Sequence, residues 1–177
     1  MNRKPAYIML SLAIPLGLLY GLLEAGFGLN VGSSMPMGIW RALPLPERLS
    51  RGMIVLVCLP PGEISRIALA RRYVDPGPCS SGTEPLLKPI AAITDDSVQV
   101  TPAGITINSI PVPNTASVSH DPAGRALPIV PPGEYRVAID QVWVLVTSNP
   151  LSFDSRYFAG VPVSAIQGLA SPIWTWP

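Results

Sequence analysis

The chain has 177 residues, and its 12 Lys and Arg against 11 Asp and Glu leave a net charge of +1. That length holds one domain and a small appendage, and the near-neutral charge offers no electrostatic footprint for a nucleic-acid partner. Only 13% of residues are charged, while 22 prolines and 15 glycines punctuate the chain; this favours turn-rich β structure over a helical bundle, and the apolar content excludes disorder.

Arg3 and Lys4 precede an uncharged stretch from Pro5 to Leu23. About 20 apolar residues suffice to cross a bilayer. Pro15, Gly17 and Gly21 weaken a water-soluble helix but are tolerated in a membrane. The basic start keeps the N-terminus cytoplasmic, so residues 1–29 read as a cytoplasmic start plus anchor and residues 30–177 as an exported domain. A cleaved signal peptide is the rival; Ala25, Gly26 and Gly28 form no clean Ala-x-Ala site, and the apolar run is long for a signal core.

The next stretch, Asn30 to Trp40, crowds Ser33, Ser34, Pro36 and two glycines together. Gly32 and Gly38 allow a sharp turn or a close backbone approach. Pro36 fixes one dihedral and disfavours helix at Met35. A serine in such a turn has its hydroxyl presented; read alone, the same residues suit a polar linker equally well.

Gly52–Cys58 reads as a buried strand, Glu63–Tyr73 as a short amphipathic helix and Asp75–Gly82 as a loop. Cys58 and Cys79 lie on the same side of the apolar run, so a disulfide and two buried thiols both stay open; with one histidine they form no zinc pattern. Leu86–Ile93 is an apolar strand interrupted by Lys88. Either the lysine points outward, or it is desolvated, which lowers its pKa and yields a neutral base. A serine nucleophile needs such a base, and Ser–Lys pairs are one version of that logic. Ser97–Thr101 and Ile105–Ile107 form a hairpin around Pro102–Gly104. His120 beside Asp121 makes a Ser-His-Asp triad formally available, although both sit in loop sequence. Two strands follow, over 130–137 and 141–146, with a turn between them. Trp174 and Trp176 alternate near the end, suiting either a lipid interface or the core.

Three boxes in order carry a family resemblance. Ser34-Met35-Pro36-Met37-Gly38-Ile39-Trp40, just past an apolar segment, resembles the nucleophile box of the type I signal peptidase (leader peptidase) superfamily, in the form of its conjugative TraF-type branch. Lys88 in an apolar strand before a hairpin resembles the general-base box. Asp154-Ser155-Arg156-Tyr157-Phe158-Ala159-Gly160-Val161-Pro162 resembles the Asp-Ser-Arg-Tyr-Phe-Gly-x-Val-Pro box near the carboxyl end. Asp95-Asp96 replaces the usual Gly-Asp, and the Gly-Asp-Asn-Arg segment of ordinary signal peptidases is missing, with Ala138–Gln141 and Thr147–Asn149 in its neighbourhood.

The resemblance implies a mainly β, signal-peptidase-like fold with one N-terminal transmembrane helix, single-pass in a bacterial inner membrane, the catalytic domain periplasmic. It implies Ser34 as nucleophile, Lys88 as base, and Asp154 near Lys88 or its supporting network. Ser33 would assist the Ser34 backbone N–H at the oxyanion. The Asp154 carboxylate would either orient the base or pair with Arg156, and Met35 and Pro36 would meet substrate. No metal or organic cofactor is called for. The implied partner is an exported pilin-like precursor of a conjugative transfer apparatus, bound extended with small residues before the cut; water or the precursor's own amino terminus would resolve the acyl-enzyme. A non-catalytic, membrane-tethered assembly factor is the alternative. A self-cleaving repressor would need a DNA-binding domain where the apolar run stands.

Overall fold

The computed structural model describes residues 4–176, with side chains from residue 14 onward. Helix α1 (Lys4–Glu24) carries Pro15 inside it. It coincides with the expected anchor, but the side chains of its first half lie outside the described residues. Among the described residues no helix is long and apolar enough to cross a membrane, so the expectation of a spanning helix is not met there.

The expectation of a mainly β domain holds. After α1 come β1 (Phe27–Asn30), β2 (Met37–Leu43) and β3 (Ile54–Val57), then α2 (Glu63–Ala70). Next are β4 (Leu86–Ala92), β5 (Ser97–Thr101), β6 (Gly104–Ile107), β7 (Ile110–Val112), β8 (Gly133–Arg136) and β9 (Gln141–Val144). The one-turn α3 (Ser155–Phe158), β10 (Val161–Pro162) and β11 (Ile166–Trp176) close the chain. A seven-stranded sheet has the order β1-β2-β11-β3-β4-β9-β10, and a four-stranded sheet the order β7-β6-β5-β8.

The β5–β6 hairpin forms where the alternating residues place it. Val98 pairs with Ile107 and Val100 with Ile105, and all four bury the same face against Trp143, Leu145, Val130 and Val137. The strands expected on either side of residues 138–140 do not pair with each other. β8 joins β5, whereas β9 pairs with β4 and β10. Burial explains the split: Val142, Trp143 and Val144 are all buried, which only a strand covered on both faces accommodates. Asp140, at a φ of 59°, turns the chain from one sheet to the other.

Two further expectations are adjusted by local geometry. Helix α2 stops at Ala70, three residues short of Tyr73, because Arg72 takes a left-handed φ of 57° and the Arg72 and Tyr73 N–H groups bond back to the carbonyls of Leu69 and Ala68. Asp95 holds the position where the related box has glycine, and its φ is 70°, in the region glycine favours. Asp96 is buried and accepts from Arg51, Asn108 and the Ile93 N–H. Hydrogen bonding from Arg51, opposed by burial, brings its carboxyl down to about 2.

Cys58 and Cys79 form a disulfide, closing the question the sequence left open. It ties the 75–83 loop to the end of β3; closing a loop of this size stabilises by roughly 3 kcal/mol in the chain-entropy model. Neither Trp174 nor Trp176 is in the core: they are 68% and 39% exposed, with ring centroids 5.8 Å apart.

Candidate active site

The turn between β1 and β2 presents Ser33 and Ser34, and each residue of its box has a structural reason. Asn30 ends β1 and braces the turn from inside. Its Nδ2 donates to the carbonyls of Gly32 (3.3 Å), Met35 (3.1 Å) and Pro36 (3.0 Å), and its Oδ1 accepts from the Gly32 N–H. The Trp40 indole is buried and donates to the Pro36 carbonyl at 3.1 Å. Gly38 has a φ of 142°, and a Cβ there would lie 2.2 Å from the Trp174 carbonyl oxygen of β11. Only glycine lets β2 close on β11 at this point.

Lys88 comes from β4, opposite Val55 of β3. It is 2% exposed, so it does not point outward, and its Nζ donates to Ser152 Oγ at 2.8 Å. Burial pushes the amine down from 10.5 to about 8; the Asp154 carboxylate opposes that shift and the Arg156 guanidinium adds to it.

Ser34 and Lys88 line the same cavity, of about 460 Å³. Ser33 and Met35 line it too, and Pro36 stands just outside. Tyr73, Phe153 and Tyr157 also line it. Phe153 lies 5.3 Å from Tyr73 and 5.5 Å from Tyr157, ring centre to ring centre. The site is therefore a largely apolar trough that carries the Ser34 hydroxyl and the depressed Lys88 amine in one lining.

Asp154 and Arg156 lie behind it, both 0% exposed. Asp154 Oδ1 accepts from Arg156 Nε at 2.8 Å, and Oδ2 from Arg156 Nη2 at 2.7 Å and the Val146 N–H at 3.0 Å. The guanidinium also donates to the carbonyls of Asn114, Pro150, Val146 and Asn149. Every strong position of the pair is used, as a buried ion pair requires. Asp154 thus meets Lys88 through its field, not through a hydrogen bond.

The residues missing from the sequence reading are on the turn between β9 and α3. Ser152 holds Lys88. Asn149 Nδ2 donates to the Ser33 carbonyl at 3.2 Å and lies 3.4 Å from Ser33 Oγ. Ser148 Oγ reaches the Ser34 carbonyl at 3.5 Å. The only signal for Ser152 is its place two residues before Asp154 in the third box. His120 is exposed, beside Ser119 Oγ at 3.0 Å, while Asp121 is taken up by Tyr73, Arg125 and the turn's own N–H groups. The histidine does not line the cavity, so the Ser-His-Asp alternative is not assembled.

Residues 13–176 match the family described as signal peptidase, peptidase S26, and the chain belongs to that family. Its curated relatives place it in the TraF-type branch. The plasmid transfer protein TraF of Escherichia coli is 30% identical over 176 residues, covering 99% of this chain and 98% of that one. The conjugal transfer protein TraF of Agrobacterium fabrum is 32% identical over 176 residues, covering 97% and 92%. The probable conjugal transfer protein TraF of Sinorhizobium fredii is 31% identical over 183 residues, covering 99% and 93%.

Proposed function

We propose that this protein is a membrane-anchored serine endopeptidase that processes an exported precursor, a pilin of a conjugative transfer apparatus. The observation that carries the reading is the buried, pKa-lowered Lys88 on the wall of the cavity that Ser34 also lines. Ser34 Oγ attacks the scissile carbonyl carbon as Lys88 Nζ takes its proton. The same nitrogen then returns the proton to the departing amine, leaving an acyl-enzyme. With a pKa of about 8, the amine is neutral in roughly one molecule in ten at pH 7. That is far more than an exposed lysine supplies.

The Ser34 backbone N–H, with the Ser33 hydroxyl beside it, faces the developing oxyanion. Among the described residues this N–H makes no hydrogen bond. The Asp154 carboxylate stabilises the ammonium that forms on Lys88, and Arg156 holds that carboxylate in place. Met35 and Pro36 shape the substrate's path into the trough. Water or the precursor's own amino terminus releases the acyl group, the latter giving a cyclic product.

Helix α1 serves as the anchor, with residues 30–177 in the periplasm of a bacterial inner membrane. Tethering raises the effective concentration of a membrane-borne substrate, and the exposed Trp174 and Trp176 suit the lipid interface. The names of the TraF relatives supply the transfer context. The test is the intact mass of the pilin precursor from the same transfer locus, co-expressed with the full chain or with Ser34→Ala or Lys88→Ala. Processing lost in both variants supports the dyad, and a product one water lighter than the trimmed chain reports cyclisation. Processing by either variant at the parent level removes the dyad.

A further inference from the structure

We infer that Asn149 is a positioning residue for the oxyanion site: its side-chain amide sets the plane of the Ser33–Ser34 peptide and thereby the direction of the Ser34 N–H. The inference rests on the Ser34–Lys88 reading above. Asn149 Nδ2 donates to the Ser33 carbonyl oxygen at 3.2 Å. That oxygen and the Ser34 N–H belong to one planar trans peptide and point to opposite sides of it. Fixing the oxygen fixes the N–H, and a hydrogen bond on the oxygen also polarises the N–H as a donor. Ser34 N–H makes no hydrogen bond among the described residues, as a group kept for an oxyanion should.

Asn149 is itself rigidly held. Its Oδ1 accepts from the Leu151 N–H at 2.8 Å. Its main-chain oxygen accepts from the Ser152 N–H at 3.1 Å and from Arg156 Nη2 at 3.3 Å. The buried Asp154–Arg156 pair stands behind the turn and also grips the carbonyls of Val146 and Pro150.

This turn links the two halves of the site directly. The side chains of Asn30 and Trp40 fix the shape of the nucleophile turn but bond only within it. Through the sheet, β2 reaches β4 only across β11 and β3. The 148–152 turn crosses directly: Asn149 holds Ser33 and, three residues on, Ser152 holds Lys88. One element therefore sets both the oxyanion donor and the base.

Asn149→Asp separates this role from simple turn support. Aspartate keeps the acceptor for the Leu151 N–H but loses the donor to the Ser33 carbonyl. The substrate is a fluorogenic peptide copying the processed junction of the pilin precursor, used with the full chain in detergent. Asn149→Asp and Asn149→Ala should both lower kcat about 100-fold, the scale of losing one oxyanion donor. KM should change little. In Asn149→Ala the pH midpoint of the rate should stay at the parent's value, because Lys88 is untouched, whereas the added carboxylate of Asn149→Asp should move it upward. The 15N chemical shift of the Ser34 amide, which responds to a hydrogen bond on the Ser33 carbonyl of the same peptide, should move upfield in both variants. If the parent does not cleave the peptide, the peptidase reading fails while the Ser34 shift still decides the latch. Parent-level kcat in Asn149→Asp, or an unchanged Ser34 amide shift in both variants, overturns the inference.

Discussion

Lys88 Nζ and Ser152 Oγ are 2.8 Å apart, in a place where the lysine is 2% and the serine 1% exposed. The hydroxyl is the amine's hydrogen-bonding partner and fixes where its lone pair points. Ser152→Ala should leave the fold intact and the base loose. A misplacement of about 1 Å can cost roughly 100-fold in rate, so kcat should fall by that order. The charged form also loses an acceptor, so the pH midpoint of the rate should move below the parent's. Steady-state kinetics across pH read both; a parent-like rate would show that Ser152 merely fills space.

The same lysine burdens the fold. Its pKa is near 10.5 in the unfolded chain and about 8 in the folded one. Folding therefore penalises the ammonium. The penalty is full below pH 8 and fades as pH rises from 8 to above 10.5. A difference of that size corresponds to about 3 kcal/mol. Lys88→Met should thus be inactive yet more stable than the parent at pH 7, by about 1–3 kcal/mol once the lost bond to Ser152 is discounted. The gap should shrink toward pH 10. Urea denaturation at the two pH values measures it, and a pH-independent gap would contradict burial as the cause.

Asp154 and Arg156 bear on stability first. Asp154→Asn leaves a guanidinium buried without its carboxylate, a change that costs about 3–5 kcal/mol. Arg156→Lys cannot reproduce the planar fork that spans Asp154 and the surrounding carbonyls, and should cost a similar amount. Both variants should unfold at lower urea and lose activity together. Full stability with lost activity in Asp154→Asn would assign the carboxylate a direct chemical role.

Gly38 and Ala159 make a pair of opposite sign. A Cβ at Gly38 meets the Trp174 carbonyl, so Gly38→Ala should destabilise by about 2–4 kcal/mol. Ala159 stands at the glycine position of its box with φ 58° and ψ −150°, a region that suits glycine almost alone. Ala159→Gly should stabilise by about 1 kcal/mol. Thermal denaturation of the two variants checks both signs.

Residues whose reason is local were legible in the sequence. The Ser34–Trp40 box reads as a turn because Pro36 and Gly38 constrain their own backbone, and Lys88 is conspicuous as one charge in an apolar strand. The β5–β6 hairpin follows from strict alternation. What stayed hidden depends on distant partners. Asn149 meets Ser33 across a separation of 116 residues and Ser152 meets Lys88 across 64, and neither contact leaves a periodic trace. The assignment of β8 and β9 to different sheets was equally invisible, since a short turn between two strands normally makes a hairpin. The disulfide could not be decided from two cysteines without knowing that Cys79 folds back onto the end of β3.

Burial that turns Lys88 into the base for Ser34 should be visible in the pH dependence of kcat/KM for the full chain on the pilin-junction peptide. The rate should rise with pH through a single deprotonation near 8, and Lys88→Arg, which stays protonated, should be inactive at every pH. A flat profile, or one set by a group titrating near 6.5 as an ordinary histidine does, would rule Lys88 out as the base.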